Sequence, residues 1–221
     1  IKNELRVSAS TETAKIPAKN KDKMTKTGKV QKSDTPLWKF REEIKDCVKC
    51  ALGYSRNKFV FGDGNPDADI MFIGEAPGSE EDRTGIPFVG RAGQLLNKLL
   101  SGIQIDRDEV FIANILKCRP PNNRDPQPNE VQECIPYLHK QIKMIQPKVI
   151  VALGRIAAQN LLETSSSLKQ MRERLWQYQN VTMIVTYHPA AILRNPGLLE
   201  TARQDFQFIL KTYKDVKKHQ I

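Results

Sequence analysis

The chain has 221 residues, 39% hydrophobic and 27% charged, which is enough apolar material for one buried core without disulfide staples. Its 35 Lys and Arg against 25 Asp and Glu give a formal charge of +10, a balance that favours a polyanionic partner such as nucleic acid. No apolar stretch reaches the length of a membrane span, and the first twenty residues lack the apolar core of a secretory signal; a soluble, intracellular (cytoplasmic) protein with no membrane partner is expected.

Residues 1–34 hold nine Lys or Arg against four acids among Ser and Thr spacers, and residues 1–35 are read as a disordered basic tail. The sequence opens on Ile1 rather than Met, as expected of a chain trimmed at its start. From Pro36 the composition turns globular, and residues 36–215 are expected to form one domain, followed by a short basic end at 216–221.

In chain order, helical spacing covers Pro36 to Cys47, and the apolar run "DIMFIG" (69–74) then reads as a buried strand. Behind it comes "GEAPGSEEDRTGIPFVG" (74–90), an acidic loop in a basic chain, with Glu75, Glu80, Glu81 and Asp82. A helix over Ala92 to Leu100, a strand "VFIANI" (110–115), a helix over Asn129 to Ile145 and a strand "KVIVALG" (148–154) follow. A helix over Arg155 to Leu162, a strand "TMIVTYH" (182–188) and a helix over Gly197 to Tyr213 complete the series. Short apolar runs alternating with helices predict an α/β fold, a doubly wound, mostly parallel sheet flanked by helices. Ligands in such sheets sit beyond the carboxyl ends of the strands, which here carry Gly74 and Glu75, Asn114, Gly154 and His188.

The four cysteines fall in two groups, Cys47 and Cys50 in "CVKC", and Cys118 and Cys134 separated by fifteen residues. In an intracellular chain a CxxC clip with two further cysteines points to metal before disulfide. Zinc and an iron–sulfur cluster both accept four thiolates. The single clip and the spread second pair favour the cluster slightly, and spacing leaves both open.

"GEAPGSEEDRTGIPFVGRAGQLL", "NILKCRPPNNRDPQPNEVQEC" and "YHPAAILRNP", together with the upstream CxxC, closely resemble the family 4 uracil-DNA glycosylases, from about Trp38 to Tyr213. The resemblance implies the fold of those enzymes and a [4Fe-4S] cluster on Cys47, Cys50, Cys118 and Cys134. It also implies uracil-containing DNA as partner and hydrolysis of the N-glycosidic bond to leave an abasic site for base-excision repair; a monomer is expected. The uracil pocket would comprise Gly74, Glu75, Ala76, Phe88, Asn114 and His188, with Glu75, Asn114 and His188 catalytic. The chemistry of these residue types agrees with that role: an aromatic ring stacks on a flipped base, an amide reads its O4 and N3–H, and an imidazole donates to O2 as negative charge develops there. Each also has an ordinary structural alternative, with Phe88 as core, Asn114 as a loop cap and His188 as a strand-end residue.

Where family 1 enzymes read Gly-Gln-Asp-Pro-Tyr, this chain has Ala76 in place of the water-orienting Asp and Gly78 in place of the thymine-excluding Tyr. Glu75 is therefore expected to orient the water and favour the cationic sugar, and Glu81 to exclude thymine. Ile192 and Leu193 beside Arg194 suit an apolar wedge with a phosphate contact. The chain lacks the basic insertion of a relative that traps uracil covalently, so hydrolytic turnover is expected. The alternative from another class is a catalytically silent DNA-binding iron–sulfur protein of the same fold.

Overall fold

The apolar runs become the centre of one sheet. The computed structural model describes residues 35–172 and 174–218; residues 1–34 of the expected tail and residues 219–221 lie outside them. In chain order the described residues form α1 (Pro36–Ile44), α2 (Leu52–Ser55), β1 (Asp63–Gly64), β2 (Ile70–Gly74), α3 (Ser79–Thr84), α4 (Arg91–Ser101), β3 (Phe111–Asn114) and α5 (Pro128–Ile145). There follow β4 (Val149–Leu153), α6 (Arg155–Leu162), α7 (Leu168–Arg172), β5 (Trp176–Tyr178), β6 (Val181–Thr186), α8 (Pro189–Arg194) and α9 (Leu199–Lys218).

The six strands run in the order β1-β3-β2-β4-β6-β5. β3, β2, β4 and β6 are mutually parallel, and the short edge strands β1 and β5 are antiparallel to their neighbours. The sheet is thus mixed, with the expected parallel arrangement at its centre. β2, β3 and β4 are buried at every position because helices cover both faces.

Alternation sorts the strand side chains between two layers. Met71, Ile73, Phe111, Ala113, Ile150, Ala152, Met183 and Val185 pack with residues of α1, α5, α6 and α7. Ile70, Phe72, Ile112, Val149, Val151, Leu153 and Ile184 pack with Leu96, Leu99 and Leu100 of α4, Ile192 of α8, and Ala202, Phe206 and Ile209 of α9. Phe72 stacks on Phe206 with ring centroids 5.9 Å apart. α9 runs through Lys218, past the expected domain boundary at 215, because Phe206 and Ile209 are continued on the same face by Tyr213 and Val216.

Two features depart from the sequence reading. The acidic stretch after β2 is not all loop: Ser79–Thr84 is helix α3, with Glu80, Glu81 and Asp82 in its first turn, where carboxylates complement the helix dipole. The strand β5 and its hairpin with β6 were not expected, since the connecting Gln179 and Asn180 adopt left-handed backbone (φ 50° and 65°) without a glycine to mark the turn.

Candidate active site

β2 and β3 end in register, Gly74 opposite Asn114, while β4 and β6 end at Leu153 opposite Thr186. A cavity of about 540 Å³ opens beyond these ends, and Glu75, Ala76, Gly78, Glu81, Phe88, Asn114, Gly154 and His188 are among the residues that line it. Four strand ends that the sequence placed on one crevice thus meet on one cavity. Gly74 lies directly beneath: a Cβ there would overlap the Asn114 amide oxygen and come within 2.7 Å of the Phe88 ring. Gly154, at φ 92°, lets the β4 turn pass His188, whose Cβ would stand 2.8 Å from an added methyl.

Asn114 is fully buried, and its Oδ1 has no hydrogen-bond partner among the described residues. Leaving such an acceptor unpaired costs about 1–3 kcal/mol, which marks it as a group held ready for a donor. Phe88 is buried in the α4 layer and also faces the cavity, its ring centroid 5.5 Å from that of His188. It serves as core and cavity wall together.

The His188 Nδ1 accepts the Ala190 backbone N–H at 3.1 Å, capping α8. Nδ1 is therefore unprotonated and Nε2 carries the ring hydrogen. Burial, reinforced by the Arg194 guanidinium and opposed by Glu81, pushes the imidazole down to about 4, so it is neutral near pH 7. Glu75 moves the other way: burial and the nearby Asp125 carboxylate raise it to about 7, against Arg155 and Arg194.

The remaining acids behind β2 divide by role. Asp82 is buried and accepts the Asn57 backbone N–H at 3.0 Å, a structural bond. Glu80 pairs with Arg83 at the surface. Glu81 Oε1 accepts the backbone N–H groups of Val89 and Gly90, both at 2.9 Å, while the residue also borders the cavity. Of the four acids, only Glu75 and Glu81 reach the cavity.

The expected wedge is corrected by the packing. Ile192 is a core residue, 3% exposed beneath α8, because the helix turns it onto the α4 layer. Leu193 is 45% exposed and Arg194 borders the cavity, so these two remain at the surface. Sequence reading did not assign Arg155, Arg124 or Asp125, which also line the cavity. Their signal was present in "RDPQP" and in the residue after Gly154, where a βα turn meets the crevice.

The model of the uracil DNA glycosylase superfamily matches residues 61–217. The chain belongs to that superfamily. It is 47% identical to a type-4 uracil-DNA glycosylase of Sulfurisphaera tokodaii, over 78% of this chain and 83% of that one. It is 46% identical to a type-4 uracil-DNA glycosylase of Archaeoglobus fulgidus, over 76% and 88% of the two chains. A type-5 uracil-DNA glycosylase of Pyrobaculum aerophilum is more distant, at 30% over 62% of this chain and 67% of that one. Within the superfamily the type-4 enzymes are thus the nearer group.

The four cysteines of this superfamily member are unpaired and gather on the side of the sheet covered by α1 and α5. Among the described residues no three His, Cys, Asp or Glu are set to hold a metal ion. The sulfurs nevertheless sit in a donor-rich setting suited to thiolates. Tyr137 donates to Cys47 at 3.2 Å, the Lys117 backbone N–H to Cys134 at 3.3 Å, and Arg56 approaches Cys118 at 3.6 Å. Burial pushes the Cys118 thiol up to about 12, against Arg56, and the Cys134 thiol up to about 11, against Lys117, with neighbouring cysteines adding to both shifts. Thiols so placed ionise when a metal cation takes the place of the proton on sulfur and the proton leaves to solvent.

Proposed function

We propose that the chain extrudes uracil from DNA and hydrolyses its N-glycosidic bond, leaving an abasic site for base-excision repair. Membership of the superfamily and the likeness to proteins named type-4 uracil-DNA glycosylase support the activity. The observation that carries the site is Asn114, whose buried, unpartnered Oδ1 matches the N3–H of uracil while its Nδ2 can donate to O4. Phe88 covers one face of the base. The neutral His188 offers Nε2–H to O2.

As the C1′–N1 bond breaks, its electron pair leaves with the base, and the negative charge collects on the uracil oxygens. A preorganised donor there favours the transition state more than the ground state. Water adds to the cationic C1′, and its proton passes to the Glu75 carboxylate or to solvent. Gly74 and Ala76 keep the wall of the pocket thin beside the base, and Glu81 bounds it where the methyl of thymine would project. Leu193 enters the base stack and Arg194 holds a phosphate.

Cys47, Cys50, Cys118 and Cys134 would hold a [4Fe-4S] cluster, which supplies a cross-link between chain segments and no electron to the hydrolysis. The donors to sulfur support that ligand set.

Single-turnover release of uracil from one oligonucleotide, read by alkaline strand cleavage, tests the proposal. His188→Ala and Asn114→Ala are each expected to slow release on the order of a hundredfold. Affinity for the duplex should barely change, because it rests on phosphate contacts. A strand left uncut by stoichiometric wild-type protein would overturn the activity, and a His188→Ala variant as fast as wild type would remove the imidazole from the mechanism.

A further inference from the structure

Phe88 adopts left-handed backbone, with φ 51°, a conformation an aromatic residue rarely takes unless its surroundings impose it. The surroundings are specific. Arg107, in a 3-10 turn (Arg107–Glu109) far from the cavity in sequence, sends Nη1 to the Phe88 carbonyl at 3.2 Å and Nη2 to the Pro87 carbonyl at 2.5 Å. The same Nη1 also reaches Asn97 Oδ1 on α4 at 3.0 Å. From the other side Glu81 accepts the N–H groups of Val89 and Gly90. Gly93 completes the enclosure, since a Cβ there would overlap the Phe88 carbonyl. The two carbonyls before and at the bend and the two N–H groups after it are thus each tied to a side chain that does not itself need the base.

We infer that Arg107 is a positioning residue for base recognition, acting through the Pro87 and Phe88 carbonyls to hold the Phe88 ring over Gly74 and against His188. The guanidinium suits the task because its planar fork satisfies two adjacent carbonyls at once, which a lysine ammonium does with less fixed geometry. Burial lowers its pKa from the usual guanidinium range, opposed by Asp63, Asp108 and Glu81, and a guanidinium still keeps its charge. Without the guanidinium the strained bend relaxes and the ring leaves the plane that faces a flipped base. Loss of orientation at a reacting centre weakens catalysis without removing any catalytic group.

The inference rests on the reading of Phe88 as the stacking ring, and the experiment separates the two. Arg107→Lys, Arg107→Met, Phe88→Ala and the double variant Arg107→Met/Phe88→Ala are compared by inhibition with free uracil, single-turnover release, duplex affinity and thermal unfolding. Arg107→Met is expected to weaken inhibition by free uracil and slow release by about tenfold each, with duplex affinity unchanged. Arg107→Lys, the variant more certain to fold, should lie between Arg107→Met and wild type. The double variant should be no worse than Phe88→Ala alone, because both changes remove the same ring placement. Wild-type inhibition by uracil in both Arg107 variants, or losses that add in the double variant, would overturn the inference while leaving the pocket intact. Wild-type inhibition in Phe88→Ala would overturn the stacking role itself, and this inference with it. A lowered melting temperature with unchanged uracil inhibition would assign Arg107 to stability only and would also overturn it.

Discussion

A carboxyl at the end of β2, half-buried and facing Asp125, resists ionisation, and Glu75 is accordingly raised to about 7. The proposed chemistry requires the anion, so uracil release should rise with pH through about 7 and level off above it. His188, neutral above about 4, adds no step in that range. Glu75→Gln is expected to flatten the profile and lower the plateau. The same substitution should stabilise the fold. The native carboxyl is bound to its proton more tightly folded than unfolded, so its stabilising contribution is complete below the unfolded value of 4.5 and is lost as pH rises to about 7. Glutamine has nothing to lose, and at pH 8 the variant should gain about 1 kcal/mol after solvent screening, a rise of roughly 2–4 °C in Tm. Rate profiles and melting curves from pH 5 to 9 check both. A variant that keeps the wild-type rise in rate would assign the step to another group. Glu75, Phe88, Asn114 and His188 were legible because each follows or ends an apolar run or lies in a long motif. Arg107 was not, because its partners are backbone carbonyls, which leave no pattern in the sequence.

Elements meet at the end of β6, two residues before His188. There Thr186 donates to Asp205 of α9 at 2.6 Å, and Arg172 of α7 grips the same carboxylate at 3.0 and 2.7 Å. Arg172 also donates to the Tyr187 hydroxyl at 3.1 Å and lies over its ring. The pair is nearly buried, with side-chain exposures of 11% and 15%, so removing the carboxylate takes a charged acceptor from both Thr186 and Arg172 where water replaces it poorly. Asp205→Ala is expected to cost about 3–5 kcal/mol of stability and to slow uracil release at 25 °C by loosening the strand that delivers His188. An unchanged melting temperature would show that the junction does not brace that strand. None of this was visible beforehand: the four central strands announced themselves as buried runs, but the acid and base of this junction come from two helices whose packing only the sheet order brings together. β5 is three residues long and only partly buried, so it carries no apolar run to mark it. The α3 helix was hidden by the Gly and Pro that flank it, although its acidic first turn was a usable signal.

At the scale of the molecule the cysteine site joins three parts of the chain that also meet through α1 and α5 packing. Cys47 and Cys50 lie between α1 and α2, Cys118 follows β3, and Cys134 sits on α5. Arg56 already spans them, donating to the carbonyls of Lys45 and Cys47 while reaching Cys118. One residue before Cys118, the fully buried Lys117 donates to the Asn114 carbonyl at 2.8 Å and to Gln141 of α5 at 2.7 Å. The cysteines therefore stand behind the Asn114 amide and are not among the residues that line the cavity. A clip at this point is expected to govern folding and to leave the chemistry alone, since hydrolysis needs no electron. Protein isolated without exposure to oxidants should be brown and contain iron and sulfide. Cys118→Ser should give little folded protein and no brown colour, and any folded fraction should show faster hydrogen exchange in residues 36–55 than in β2 and β4. Its uracil release per folded molecule should stay within about tenfold of wild type, because the Asn114 carbonyl is held from behind and none of the proposed catalytic groups is lost. Colourless wild-type protein holding one zinc would refute the cluster, and exchange that rises equally throughout the sheet would show that the site holds the whole core rather than its edge.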